Sequence, residues 1–301
     1  MSYLANDRSL QRRADPHLIL PECRSILVLG FPYPQPISYN KIMEKDPLGL
    51  IAAYACGQDY HHFLPELMLA LVNSLQERLG VPFPYRYYTD NGPILERDLA
   101  QRAGLGWIGR NTCLISPRQG SYFFLAEILL GIDLQMDPPF EKDLCGSCRR
   151  CVQACPTGCI LPDRTLDSNH CISYLTIENK ASIPVELRPS MGDRVFGCDI
   201  CQVVCPWNRF ADKGNETMMK IEQFNRHPNL LEELSLTSLK FNQKYGHTPL
   251  MRARRNRYLR NVIVALTNSG YDGDISILND LVNDPDPLVR DHAIWAVATW
   301  K

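Results

Sequence analysis

The sequence predicts a mixed α/β and α+β chain in three parts: an α/β domain over residues 1–137, a small cysteine-rich domain over 138–212 and a helical segment over 213–301. Three observations lead there. Strand and helix patterns alternate up to about residue 137. Most of the cysteines crowd between Cys145 and Cys205. The tail carries a helical apolar stripe and then Asp286-Pro287-Leu288-Val289-Arg290, which opens a helix in the manner of HEAT-type repeats. With 301 residues and 45% hydrophobic content, the chain can bury one substantial core and one or two smaller ones.

In the first part, a polar opening ends at Arg12-Arg13-Ala14-Asp15-Pro16. Ser25–Gly30 holds the unbroken apolar run Ile26-Leu27-Val28-Leu29 and reads as a strand buried on both faces. Phe31 to Pro36 is expected to leave that strand, because proline lacks the N–H a ladder needs. Strand ends in open α/β sheets line a crevice, so Tyr33 is a pocket candidate beside its default reading as a structural ring. Asp59–Leu79 has helical periodicity with Asp59 as N-cap. His61 and His62 project about 100° apart on that helix, so they cannot share one metal; a solvated pair is the default, with one pocket-facing His as the alternative. Arg86–Thr89 reads as a second strand, Asp90-Asn91-Gly92-Pro93 as a turn, and Ile94–Ala103 as a helix. Asp90 fits two roles: an Asx bond that caps the turn, which is the default, or an acid at a strand end facing a cleft. Gly104-Leu105-Gly106-Trp107-Ile108-Gly109 would let something flat or anionic approach the backbone, without forming a dinucleotide fingerprint. Cys113–Ser116 and Tyr122–Leu130 read as a hairpin joined by Pro117–Gly120.

The second part is Cys145-x-x-Cys148-x-x-Cys151-x-x-x-Cys155-Pro156, followed by Cys171 and then Cys198-x-x-Cys201-x-x-x-Cys205-Pro206. Three cysteines at two-residue gaps, a fourth three residues on and a proline mark a bacterial-type iron–sulfur run, whose fourth cysteine serves the other cluster. Cys145, Cys148, Cys151 and Cys205 are therefore assigned to one [4Fe–4S] cluster, and Cys155, Cys171, Cys198 and Cys201 to a second, in a ferredoxin-like domain. Structural zinc prefers two knuckles and a long spacer, so it fits less well. Disulfides suit an oxidising compartment, whereas this chain has no signal-peptide pattern and reads as cytoplasmic. Cys159 reads as a small buried side chain.

In the third part, Gly214–Glu216 reads as a linker, and Met251–Leu266 as a helix with Leu259, Val262, Ile263 and Leu266 as its stripe. Arg252, Arg254, Arg255, Arg257 and Arg260 lie there with no acid between Glu233 and Asp272. A solvated face is the bland reading; a surface for phosphates is the sharper one. Net charge is -1, which gives no global bias toward nucleic acid. No run of about 18 apolar residues would span a bilayer.

Arg13-Ala-Asp-Pro16, Asp59-Tyr-His61, Thr89-Asp90-Asn-Gly-Pro93, Gly104-Leu-Gly-Trp-Ile-Gly109, the cysteine pattern, Cys171-Ile-Ser-Tyr-Leu-Thr-Ile-Glu178 and Cys205-Pro-Trp-Asn208 together resemble the epoxyqueuosine reductases over nearly the whole chain. The resemblance implies that the α/β domain binds cobalamin and that two clusters feed it electrons from an external donor. It implies removal of the epoxide oxygen of epoxyqueuosine at the tRNA wobble position, the last step to queuosine, by attack of cob(I)alamin. By the same resemblance Asp90 is the proton donor, with a carboxyl pKa expected to be raised by burial. Arg13, Asp90 and Ser173, with Tyr60, Trp107, Asn111 and Thr176, would contact cobalamin. Lys180 and Arg194 would touch tRNA beside the arginine helix, and the chain is expected to act as a monomer. The family usually carries a further N-terminal segment and a longer helical-repeat tail, and alanine where this chain has Cys159. A reductive dehalogenase or a plain two-cluster electron carrier are the rival readings. The first would usually bring an export signal, and the second leaves the first 137 residues unexplained.

Overall fold

The computed structural model of the chain describes residues 6–35, 46–211, 214, 219 and 226–300. Pro36, the boundary at 212–213 and most of the Gly214–Glu216 linker lie outside the described residues. In the first part an N-terminal helix, α1 (Asp7–Ala14), precedes a three-stranded antiparallel sheet of β1 (Ser25–Pro32), β6 (Phe123–Leu130) and β3 (Tyr85–Tyr88), with β6 in the centre. The expected open α/β sheet is thus an antiparallel one. The apolar run of β1 fits both arrangements because helices cover both faces. Helix α2 (Tyr60–Leu79) buries Phe63, Leu64, Met68 and Val72 on one face, at about 1.5–3 kcal/mol for each side chain of this size. Helix α3 (Glu96–Arg102) buries Ala100 beside Val28 on the other.

Strand β1 continues two residues beyond expectation, through Phe31 and Pro32. It is an edge strand, and Tyr33 donates its N–H to the Tyr122 carbonyl at 3.0 Å, so the N–H that Pro32 lacks falls on the outward side. Tyr33 itself is buried against Tyr122 and Phe124, which makes it a structural ring.

The hairpin over residues 113–130 is not formed. Ser116 and Gly120 make an isolated bridge, but β5 (Leu114–Ile115) pairs with β4 (Trp107–Ile108), while β6 joins β1 and β3. The glycine run explains why β4 takes the partner's place. A Cβ on Gly106 would stand 2.0 Å from the Ile115 carbonyl oxygen, so this glycine serves chain-to-chain approach and not a bound ligand.

Short helices α4 (Arg150–Ala154), α5 (Ile172–Ile177) and α6 (Ile200–Val203) carry the cysteine-rich part. The tail consists of α7 (Leu230–Leu234), α8 (Ser238–Tyr245), α9 (Arg254–Asn268), α10 (Ser276–Leu281) and α11 (Pro287–Thr299). One apolar core runs through both: Ile177, Val195 and Phe196 pack with Tyr258, Leu259, Val262 and Ile263. Strand β2 (Leu50–Ile51) joins the same core by pairing in parallel with β7 (Arg194–Phe196). Among the described residues no helix is long and apolar enough to cross a membrane.

Candidate functional site

The cysteines gather as the spacing requires. Cys145, Cys148, Cys151 and Cys205 line one cavity of about 60 Å³ with Arg110, Asn111 and Trp207. Cys171, at the N-cap of α5, lies within electrostatic reach of Cys155, Cys198 and Cys201. Four thiols around a small void suit a cubane, whose irons hold the sulfurs further apart.

Two further cysteines join the second group. Cys159 Sγ lies 3.4 Å from Cys155 Sγ and also neighbours Cys171, so this buried side chain stands beside two of the cysteines assigned to the second cluster. Cys113 bonds Cys201 across from β5, a contact that a lone cysteine in an apolar segment does not announce. Asn111, buried, bridges the Cys201 carbonyl at 3.5 Å and the Cys113 N–H at 3.3 Å. Trp107 is 1% exposed, and its indole N–H points at Cys145 Sγ, 3.4 Å away. Both residues were expected on the cobalamin. In the structure both hydrogen-bond to the cysteine-bearing part, because β4 and the turn after it are pinned there. Thr176 is fully buried: its hydroxyl donates to the Ile172 carbonyl at 2.8 Å and accepts from the Gly197 N–H at 2.9 Å, so its side chain is engaged within the fold.

A second constellation forms around Asp90. Its backbone lies in the left-handed region (φ 60), and this swings the carboxylate out of the turn with its side chain 49% exposed. No Asx cap is made. Oδ2 accepts from the Tyr60 hydroxyl at 2.8 Å and lies 3.5 Å from His61 Nε2 and 3.7 Å from an Arg252 guanidinium nitrogen. The first turn of α2 supplies the first two groups. Asp59 caps that turn by accepting the His61 N–H at 3.0 Å, and the same oxygen meets His61 Nδ1 at 2.7 Å, which aims Nε2 at Asp90. His61 is therefore no solvated side chain. Arg252 also reaches Glu178 at 2.5 Å, just past α5, and so links the Asp90 turn to the cluster-bearing part.

Charge runs opposite to expectation here. Burial pushes the Asp90 carboxyl up, but the bonds from His61 and Tyr60 and the charge of Arg252 outweigh it and hold Asp90 below its ordinary range. Burial likewise opposes charge on His61, and the bonds to Asp59 and Asp90 overcome it, raising its pKa to about 9. The proton of this cluster rests on the imidazole.

The arginine helix departs further from its phosphate-binding reading. Arg260 is fully buried and donates to the carbonyls of Leu175 (2.5 Å), Asn179 (2.8 Å) and Ala181 (2.6 Å). Arg257 donates to the Ile177 carbonyl at 2.7 Å, and Arg255 pairs with buried Asp284 at 2.8 Å. The last carbonyls of a helix have no internal partner and sit at its negative end, so Arg257 and Arg260 cap α5, while Arg255 is held by its ion pair. Arg194 is held by Asp193 at 3.0 Å with its side chain only 21% exposed. Lys180 and Arg254 are exposed. Ser173 and Arg13 are half-buried, in α5 and α1.

A model of the 4Fe-4S double cluster binding domain matches residues 144–208, and a model described as "Epoxyqueuosine reductase QueG, DUF1730" matches residues 13–91. An epoxyqueuosine reductase of Escherichia coli is 38% identical over 287 residues, 95% of this chain and 75% of the relative. One from Pseudomonas aeruginosa is 37% identical over 301 residues, covering 99% and 82%. A solved epoxyqueuosine reductase bound to an epoxyqueuosine-modified tRNA-Tyr stem loop superposes with a TM-score of 0.88 at 32% identity, covering 96% of this chain and 77% of the other.

Proposed function

The chain belongs to the epoxyqueuosine reductase family, and on that premise we propose that it reduces epoxyqueuosine in the anticodon stem-loop of tRNA to queuosine, with Asp90, His61 and Tyr60 managing the protons. Removing an epoxide oxygen as water and leaving an alkene consumes two electrons and two protons. The observation that carries the reading is the Asp90 carboxylate: part-exposed, backed by a protonated imidazole and a phenol, and joined through Arg252 to the segment that holds the clusters.

Two [4Fe–4S] clusters on the eight assigned cysteines would pass electrons singly from an external donor. Trp107 N–H on Cys145 and the Cys113 thiol beside Cys201 are hydrogen-bonding groups of the kind that tune such clusters. Cobalamin, when bound, supplies a strongly nucleophilic reduced cobalt. Its fit rests on Asp90, Ser173 and Arg13, the expected contacts that keep part-exposed polar groups, and these would hold it. Asp90 orients the epoxide and stands within hydrogen-bond reach of the oxygen on which charge develops. As that oxygen becomes basic, the proton held on His61 moves through Asp90 to it, the second proton needed to release water comes from solvent at the part-exposed carboxylate, and Arg252 and Tyr60 keep the carboxylate placed. Lys180 and Arg254 would meet tRNA phosphates, and α9 to α11 would form the HEAT-like support of that surface. We take the enzyme to act in the cytoplasm, as a monomer.

The test is Asp90→Asn, assayed on epoxyqueuosine-containing tRNA with iron content and corrin absorbance measured on the same preparation. Turnover should fall at least about a hundredfold, in the range of a lost acid–base group, with both cofactors retained. Full turnover in the variant would remove Asp90 from the chemistry.

A further inference from the structure

Behind the Asp90 turn lies an acid that the reaction does not use. Glu127 is on the central strand β6, opposite Val28 of β1 and Tyr88 of β3, and is 0% exposed. Neither of its carboxyl oxygens meets a hydrogen-bond donor. The group it faces is the carboxyl of Glu96, the first residue of α3. Glu96 in turn accepts the backbone N–H of Asp90 through Oε1 at 2.5 Å. As two carboxylates, Glu96 and Glu127 would be acceptor against acceptor in a dry interior, a repulsive arrangement. One shared proton converts that contact into a hydrogen bond and leaves the other Glu96 oxygen to hold the Asp90 amide.

We propose that Glu127 is a positioning residue: its protonated carboxyl locks the Glu96 side chain, and Glu96 fixes the left-handed Asp90 backbone that points the carboxylate at the substrate. The groups facing the pair agree with one retained proton. Burial and then the charge of Asp90 push Glu96 up, against the pull of the Asp90 amide and Arg97, while burial and then Glu96 push Glu127 up. A left-handed aspartate needs such a brace, since a non-glycine residue holds that conformation only where its surroundings over-determine it.

The proposal rests on Asp90 acting in turnover, and its test has a readout independent of turnover. In reconstituted holoenzyme, Glu127→Leu fills the space without the hydrogen bond and Glu127→Gln keeps a neutral donor. Hydrogen exchange of the peptide containing Asp90 should quicken about tenfold or more in the Leu variant and stay near wild type in the Gln variant. The turnover number on epoxyqueuosine tRNA should fall about tenfold in Leu, with KM for tRNA within twofold, and be restored in Gln. Equal exchange protection in a folded, cluster-loaded Leu variant overturns the brace, whatever its activity. Loss of protection in both variants overturns the shared proton. Should the Leu chain not fold, Glu96→Ala carries the same exchange test, and wild-type protection there overturns the proposal. Normal protection with normal turnover in Asp90→Asn would instead sink the assigned role of Asp90 and leave the brace standing.

Discussion

At the level of single residues, the proposed acid is legible in its position but not in its protonation. Asp90 stands where a strand ends, and the sequence places it; its lowered pKa comes from His61, Tyr60 and Arg252, groups that only the fold assembles. The divergence of adjacent histidines on a helix leaves room for one pocket-facing ring but does not say which; here the N-cap Asp59 turns His61 inward. A pH dependence follows. Because the folded pKa of His61 is raised to about 9, the imidazolium is present at neutral pH, and turnover should fall as pH rises through about 9. The same shift adds stability that is complete below the ordinary histidine value of 6.5 and is lost as pH rises through about 9. His61→Gln should abolish the alkaline fall in the rate profile, run slower at every pH below it, and remove that part of the decline in melting temperature. An unchanged profile would take the proton off His61. Glu127 has the same sign over a wider window, because its folded pKa is also raised, to about 9, and its ordinary value lies lower. An acid kept neutral by folding costs stability increasingly above the usual carboxyl range, so Glu127→Leu should gain in melting temperature over wild type as pH rises from 5 to 8, measured by thermal unfolding.

Among elements, the cysteine-bearing segments and α2 with its Asp59 cap could be read directly, since ligand spacing and capping are local facts. The arginine helix could not. Arginines at helical spacing look solvated until α5, about 80 residues earlier in sequence, presents its unpaired carbonyls to them. The hairpin over residues 113–130 failed for a related reason: turn chemistry describes the bridge at Ser116 and Gly120 but not which sheet each arm joins. Arg260→Leu should therefore cost at least about 3 kcal/mol in urea unfolding, because it strands several buried carbonyls at about 1–3 kcal/mol each. Arg254→Ala, at an exposed position, should leave stability within about 0.5 kcal/mol. Equal stabilities of the two variants would refute the capping role.

Over the whole molecule, the three-part division follows composition, yet the packing does not break at its second boundary, because Val195, Phe196 and Ile177 share one core with the tail. Few of the expected basic residues remain open to RNA, so the salt dependence of tRNA affinity should be shallower than the arginine count suggests. Lys180→Ala and Arg254→Ala should each lower the slope of log affinity against log salt by about one. Arg257→Ala would be a poor probe, since it would disturb the fold before it touched a phosphate.

The clamp of Arg257 and Arg260 on α5, joined by Asn261, whose side-chain amide donates to the Thr176 carbonyl at 2.8 Å, bears on the order of events during synthesis. The thiols leave the ribosome well before the helix that fixes the segment beginning at Cys171, so the second metal socket takes its final shape only after translation has passed residue 268. Iron and sulfide supplied before that point would meet a Cys171 segment whose carbonyl end is still unpaired, so loading of the second site is expected to be complete only once the helix has docked.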